Sequence, residues 1–340
     1  MSIRFPWEEP PASGEATLVA EGVLWLRLPL PMRLDHVNVY ALDEGDHWTL
    51  IDTGMDLASS REVWGALLAG PLAAKPVGRV VLTHHHPDHL GLLGWFAEKG
   101  AEVWATRLGW TLGRMLQLDH NEVPPPQQIA FRRRAGMPED ALAAFAQEKP
   151  FNFSQCTTPI PLGYRVIDDG STIRMGGRDW QVVFGHGHAP DHATFWTEGL
   201  VLAGDQIIPG ISSNIGVYPS EPESNPLADW LDSCRALRTQ AEGQNPLILP
   251  GHKLPFHGAT HRLTQLIENH EHALERILQA LDDGPRTAAE LFLPVFKREI
   301  GGSQYGLALA ESVAHMNYLH QAGRVTRTDR GGAWIYERVT

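Results

Sequence analysis

A layered α/β fold follows from three observations in the sequence. Val80-Val81-Leu82 reads as a buried strand, and Leu90, Leu93, Trp95 and Phe96 beyond it are spaced as on one face of a helix. Three more short apolar runs lead into a glycine and then a polar residue: Val182-Val183-Phe184, Leu200-Val201-Leu202-Ala203 and Leu247-Ile248-Leu249. Strand and helix patterns also alternate along the first hundred residues.

From Ala16 to Asp52 the pattern is strand-like, as in Val23-Leu24-Trp25-Leu26-Arg27-Leu28. His36-Val37-Asn38-Val39-Tyr40 alternates polar and apolar, the mark of a half-buried strand, with His36 and Asn38 on one face in a structural role. After the turn at Ile51-Asp52-Thr53-Gly54, residues 56 to 69 read as an amphipathic helix. The strand at Val80 then meets Thr83-His84-His85-His86-Pro87-Asp88-His89-Leu90-Gly91. In a tight turn His84 and His86 point the same way, while Asp88 and His89 open the helix beside them. Neutral imidazole and carboxylate are the ligand set of zinc and neighbouring first-row metals. This stretch reads as a metal site.

Four donors in one loop exceed the needs of one open catalytic metal, so further ligands are expected downstream. Candidates follow the three later runs: Gly185-His186-Gly187-His188 with Asp191-His192, then Gly204-Asp205, then Gly251-His252. A repeated strand–glycine–donor order sets these residues along one rim of a sheet.

Residues 106 to 155 interrupt the alternation. Trp110, Leu112, Met115 and Leu116 look helical until Pro124-Pro125-Pro126, and a second helix is expected from Glu139 to Ala146. Phe131-Arg132-Arg133-Arg134 lies between them, its arginines read as a solvated face. The insert reads as a lid or pocket wall offering Trp110, Met115, Phe131, Phe145 and Phe151 to an apolar substrate part. A loop over 207 to 225 makes Asn214 and Tyr218 candidates for substrate contact. A helix follows from Pro226 to Leu237. From Arg262 the chain turns helical, to Leu281, again from Thr287 and again from Leu307 to Gln321. It closes with Val325 to Arg338, split by Gly331-Gly332 into two strands.

These motifs resemble the metallo-β-lactamase superfamily, whose pattern is His-x-His-x-Asp-His, then a His, an Asp and a His. The resemblance spans roughly residues 16 to 260 and implies a four-layer αββα sandwich. Carried over by position, it implies that His84, His86 and His188 hold a first metal and that Asp88, His89 and His252 hold a second. Asp205 would bridge the two. Asp52 and His192 would orient ligands without binding metal, and His85 and His186 would point away. The lactamase branch with a cysteine on its second metal and no bridging aspartate does not match, because Cys156 and Cys234 occupy no such position. The set resembles instead hydrolases of thioesters, lactones and phosphodiesters. Three helices and a hairpin over 262–340 resemble a winged helix appended to the catalytic domain of residues 1–261.

Composition narrows the partners. The net charge of −12 argues against nucleic acid and anionic membrane. Residues 262–340 carry nine Lys or Arg against ten Asp or Glu, and no Lys or Arg lies between Gln304 and Gly323. A helix so equipped forgoes the phosphate contacts that dominate nucleic-acid affinity, so packing on the catalytic domain or a second subunit is expected, including as a homo-oligomer. Two cysteines make no disulfide framework, and the first residues lack the apolar core of a signal peptide. No stretch approaches a membrane span. The expected location is the cytoplasm and the expected partner a small-molecule substrate.

Two divalent ions beside Asp88 and Asp205 would leave the centre electropositive, suited to an oxyanion. Zinc is the leading ion, with iron or manganese as alternatives. No Ser/His/Asp arrangement stands out, so hydroxide attack on the acyl carbon of a thioester or lactone is the expected chemistry. A phosphodiesterase or ribonuclease and an iron-dependent oxidoreductase on the same ligands are the alternatives.

Overall fold

The apolar runs become the strands of two mixed sheets in the computed structural model, which describes residues 2–339. The first sheet keeps chain order: β1 (Thr17–Ala20), β2 (Val23–Pro29), β3 (His36–Asp43), β4 (Trp48–Ile51), β5 (Val77–Val81), β6 (Glu102–Ala105) and β7 (Arg165–Val166). Strands β1 to β4 pair antiparallel, and β4 to β7 parallel. Parallel neighbours need crossovers. Helix α1 (Ala58–Ala69) joins β4 to β5, and α2 (Pro87–Leu90) with α3 (Leu93–Glu98) joins β5 to β6.

The crossover from β6 to β7 is the insert, with α4 (Arg107–Leu118), α5 (Pro126–Arg134) and α6 (Glu139–Phe145). Helix α5 corrects the sequence reading, which ended a helix at Pro124-Pro125-Pro126 and left Phe131–Arg134 outside any helix. Pro126 instead occupies the first turn of α5, where a missing N–H costs nothing. The arginines are not simply solvated either. Arg132 lies 3.9 Å from the Phe145 ring centroid and Arg134 5.6 Å from that of Trp334.

The second sheet runs in the order β12-β11-β10-β9-β8. Its strands are β8 (Thr172–Met175), β9 (Arg178–Gly185), β10 (His192–Thr197), β11 (Leu200–Gly204) and β12 (Leu247–Pro250). Only β11 and β12 are parallel, joined through α7 (Pro226–Ala241).

Side-chain alternation on the strands sorts the core into layers. On β3, Tyr40 and Leu42 face the second sheet, meeting Trp180, Val182 and Phe195. Val37, Val39 and Ala41 point the other way, into a layer with Trp64 and Leu67 of α1 and Phe96 of α3. On the far side, Trp196, Val201 and Ile248 pack against Trp230 and Cys234 of α7. The result is four layers, αββα, as the resemblance implied.

Beyond β12 come α8 (Ala259–Asp282), a 3₁₀ turn (Ala289–Leu291) running into α9 (Phe292–Phe296), α10 (Tyr305–Gln321) and the hairpin β13 (Val325–Arg330) and β14 (Ala333–Arg338). The division expected between residues 261 and 262 falls inside the first turn of α8. Buried side chains of this segment join the core against the second sheet. Leu263 and Leu266 of α8, Val313 and Leu319 of α10 and Tyr336 of β14 belong to the buried cluster that holds Trp196, Val201 and Trp230. The insert reaches the same cluster through Phe131 and Ala135, and the Ala289 amide donates to the Ala135 carbonyl at 2.9 Å. Among the described residues, no helix is long and apolar enough to cross a membrane.

Candidate metal centre

The candidate ligands leave the ends of four strands, β5, β9, β11 and β12, at one rim, and Asp52 leaves β4 beside them. Parallel pairing of β4 with β5 sets Ile51 beside Val81, so Asp52 lies against the histidine-rich turn. The same pairing of β11 with β12 sets Gly204 beside Pro250 and brings Asp205 next to Gly251. Two hydrogen bonds tie the sheets together there, from the Ala193 amide to the Thr83 carbonyl at 2.8 Å and from the Asn38 amide to the Gly251 carbonyl at 2.7 Å. Gly251 is required by contact, because a Cβ there would stand 2.3 Å from Asp205 Oδ1.

Two groups of donors converge. In the first, His86 Nδ1 lies 2.9 Å from His84 Nε2 and 3.0 Å from His188 Nε2. In the second, His252 Nε2 lies 3.4 Å and His89 Nε2 3.6 Å from Asp88 Oδ2. Asp205 borders both: Oδ2 is 3.5 Å from His188 Nε2 and 3.3 Å from His252 Nε2, and Oδ1 is 3.4 Å from His89 Nε2.

The outer nitrogens fix which ring atoms face inward. His89 Nδ1 is 2.7 Å from Asp52 Oδ2, His188 Nδ1 is 2.9 Å from the Asn214 carbonyl, and His252 Nδ1 is 2.7 Å from the His36 carbonyl. The Thr83 hydroxyl donates to Asp52 Oδ2 at 2.7 Å and lies 3.0 Å from His84 Nδ1. With each outer nitrogen donating, Nε2 of His84, His89, His188 and His252 carries a lone pair into the centre. His89 Nε2 and Asp205 Oδ1 are buried without a hydrogen-bond partner. Lone pairs and carboxylates crowded this closely repel unless a cation stands among them, so the residues fit a metal. Outer hydrogen bonds of this kind are how proteins orient metal-binding imidazoles.

Electrostatics agree. Burial lowers the pKa of His84 and His86 well below the ordinary value, leaving both in the neutral form that binds metal. Burial alone would lower His89 and His252 too. The carboxylates of Asp205 and Asp88 instead hold His89 well above its usual value and His252 up at about 10. Burial would raise Asp205, but His252 and His89 hold it well below the carboxylate range. The second group and Asp205 thus demand positive charge.

The other named residues fall into place around this centre. His85 is half-buried on the side of α4, near Gly113. His186 turns outward to the Pro190 carbonyl. His192 stacks on His84 with centroids 4.6 Å apart, and its Nε2 accepts from the Asp205 amide at 3.0 Å. Asn214 meets the centre through its main chain, and its side chain donates to Glu311 at 2.8 Å. Tyr218 is 47% exposed on the same loop. His36 and Asn38 hold the last ligand loop: His36 Nε2 accepts from the Lys253 amide at 2.8 Å, and Asn38 Nδ2 donates to the Pro250 and Lys253 carbonyls. Sequence reasoning missed Thr83, which joins Asp52 to His84, although a buried hydroxyl between strand and motif was visible. It also missed Glu311, remote in sequence from every ligand.

Two mixed sheets with a histidine- and aspartate-lined rim define the class: a metal-dependent hydrolase. The sequence profile of the metallo-β-lactamase superfamily matches residues 32–252, and that of a metallo-β-lactamase-like C-terminal domain matches 274–339. The chain belongs to the metallo-β-lactamase superfamily. It is 28% identical over 335 residues to a probable metallo-hydrolase, YqjP, of Bacillus subtilis, covering 95% of this chain and 99% of that protein. It is 24% identical over 296 residues to an atrochrysone carboxyl ACP thioesterase of Aspergillus fumigatus, covering 83% of this chain and 54% of that one. The crystal structure of a beta-lactamase domain protein from Burkholderia ambifaria superposes with a TM-score of 0.87 at 32% identity, covering 99% and 97% of the two chains.

Proposed function

We propose that the chain is a dinuclear hydrolase of thioesters or lactones. In this reading His84, His86 and His188 hold one divalent cation, and Asp88, His89 and His252 hold the other, with Asp205 between them. The observation that carries the reading is the position of Asp205, whose two oxygens lie within 3.3–3.5 Å of ring nitrogens from both groups. Two bound cations supply Lewis acidity and a water whose pKa is lowered towards roughly 7. Imidazole and carboxylate donors favour zinc, with iron and manganese as the alternatives.

The chain's own residues do the rest. Asp52 and the carbonyls of Asn214 and His36 keep the imidazoles aimed. Asp88 and Asp205 stay ionised beside the imidazoles and supply the negative charge that would face the cations. Helix α4 supports an apolar substrate. Thr106 caps it and also donates to the Asp191 carbonyl at 3.3 Å, in the loop between His188 and His192. Leu108, Met115 and Leu118 on one side of this helix are exposed. A relative named as an acyl-carrier thioesterase fits the same chemistry.

We read the helices and hairpin after β12 as a winged-helix-like cover, not a nucleic-acid reader, and the partner as a small molecule. The test is turnover of a panel of thioesters, lactones and phosphodiesters by metal-reconstituted protein, alongside Asp205→Ala. Thioester or lactone hydrolysis lost by at least about a hundredfold in the variant is expected. Preference for phosphodiesters, or oxygen consumption with iron and no hydrolysis, would overturn the assignment.

A further inference from the structure

Behind the loop that follows Asp205, two imidazoles and a carboxylate meet outside the centre described above. His270 comes from α8, and Glu311 and His315 from successive turns of α10. One ligand atom from each lies within 4.8 Å of the others. Their hydrogen bonds repeat the logic of the metal centre. His315 Nδ1 donates to the Glu311 carbonyl at 2.8 Å, which leaves a lone pair on Nε2. The Ser212 hydroxyl donates to the Ser213 carbonyl and lies 3.3 Å from His270 Nε2, and the tautomer in which His270 Nε2 donates to it leaves the lone pair on His270 Nδ1. Those two lone pairs face each other at 3.3 Å.

That separation is the same as the one between His270 Nε2 and the Ser212 hydroxyl. It matches the edge of a tetrahedron with metal–nitrogen bonds of about 2.0–2.1 Å, which is about 3.3 Å. Glu311 Oε2 accepts from Asn214 Nδ2 at 2.8 Å, and a carboxylate oxygen of Glu311 lies within reach of the same cation as the two imidazoles. The group opens onto a cavity of about 350 Å³ walled by Asn269, Phe296 and Leu307.

We propose that His270, Glu311 and His315 form a separate divalent-cation site of zinc type, with an open position facing this cavity. Two histidines and one glutamate with a vacant fourth position are a recurring open zinc arrangement. The site is one residue away from the metal centre. Asn214 binds Glu311 by its side chain and receives His188 Nδ1 on its carbonyl. A cation held by Glu311 therefore steadies the loop that aims His188.

The experiment is diffraction on both sides of the zinc absorption edge, using full-length protein stripped with chelator and reloaded with excess zinc. An anomalous peak about 2.0–2.2 Å from His270 Nδ1, His315 Nε2 and a Glu311 oxygen is expected. Peaks at the Asp205 centre with none here would overturn the proposal. The two positions are read independently, so an empty Asp205 centre would instead count against the dinuclear reading. In solution, Glu311→Gln and His315→Gln should each retain one equivalent of zinc fewer than wild type after gel filtration. Equal zinc in wild type and both variants would also overturn it.

Discussion

Asp52 has φ of 64°, a left-handed conformation uncommon outside glycine but tolerated by aspartate. Its carboxylate has definite partners on both oxygens: the Thr83 amide on Oδ1, and the Thr83 hydroxyl and His89 Nδ1 on Oδ2. Asp52→Asn would turn an amide N–H or a weaker acceptor toward His89 and unsettle its tautomer. We expect metal affinity to fall about 10–100-fold, the usual cost of losing an orienting partner, read by competition with a chelator. Unchanged affinity would contradict this role for Asp52. The histidines also set the pH dependence of metal-free protein. Burial lowers His36, His85 and His315 to about 4 and His270 to about 3. The unfolded chain then takes up protons first as pH falls below about 6.5, so stability drops between that pH and about 4. His252, raised to about 10, acts in the opposite sense: its contribution is full below about 6.5 and is lost as pH rises through 10. Urea midpoints of chelated protein should peak near neutrality, and a midpoint higher at pH 5 or at pH 9 than at pH 7 would contradict the balance.

Helix α4 is where the substrate proposal lives. Its cap on Thr106 anchors it to the loop between His188 and His192, while Leu108, Met115 and Leu118 stay exposed. Replacing Met115 and Leu118 together by Gln should lower kcat/KM for long-chain acyl thioesters about tenfold or more and leave short-chain ones nearly unchanged. An equal loss on both would point to a structural role. Elements also show where sequence reading succeeds. The strand–glycine–donor repeats were legible because each is local, with an apolar run, a turn and a donor inside ten residues. Helix α5 was not, since a proline run both stops a helix and opens one, and only the docking of Phe131 and Ala135 on the distant cluster decides. The His270–Glu311–His315 group was invisible for the same reason. Only the spacing of Glu311 and His315 is local, and it is common on any helix.

At the scale of the whole molecule, the helices after β12 complete the outer layer over the second sheet. Tyr336 of the closing hairpin and Trp230 of α7 belong to one buried cluster. Metal-free protein should therefore unfold in a single calorimetric transition with matching calorimetric and van't Hoff enthalpies. Two separated transitions would mean an independent C-terminal domain, as the order of helices and hairpin alone suggested. The same charge balance predicts weak, salt-sensitive binding to RNA or duplex DNA, and submicromolar binding at physiological salt would favour the phosphodiesterase reading. The central claim is the pair of cations shared by Asp205, and one measurement bears on it most directly: elemental analysis of the His270→Gln/His315→Gln variant purified without chelator and reconstituted with zinc. Two ions per chain are expected, falling together with hydrolytic turnover in Asp205→Ala on that background. A repeatable value near zero or one, or full turnover without Asp205, would contradict it.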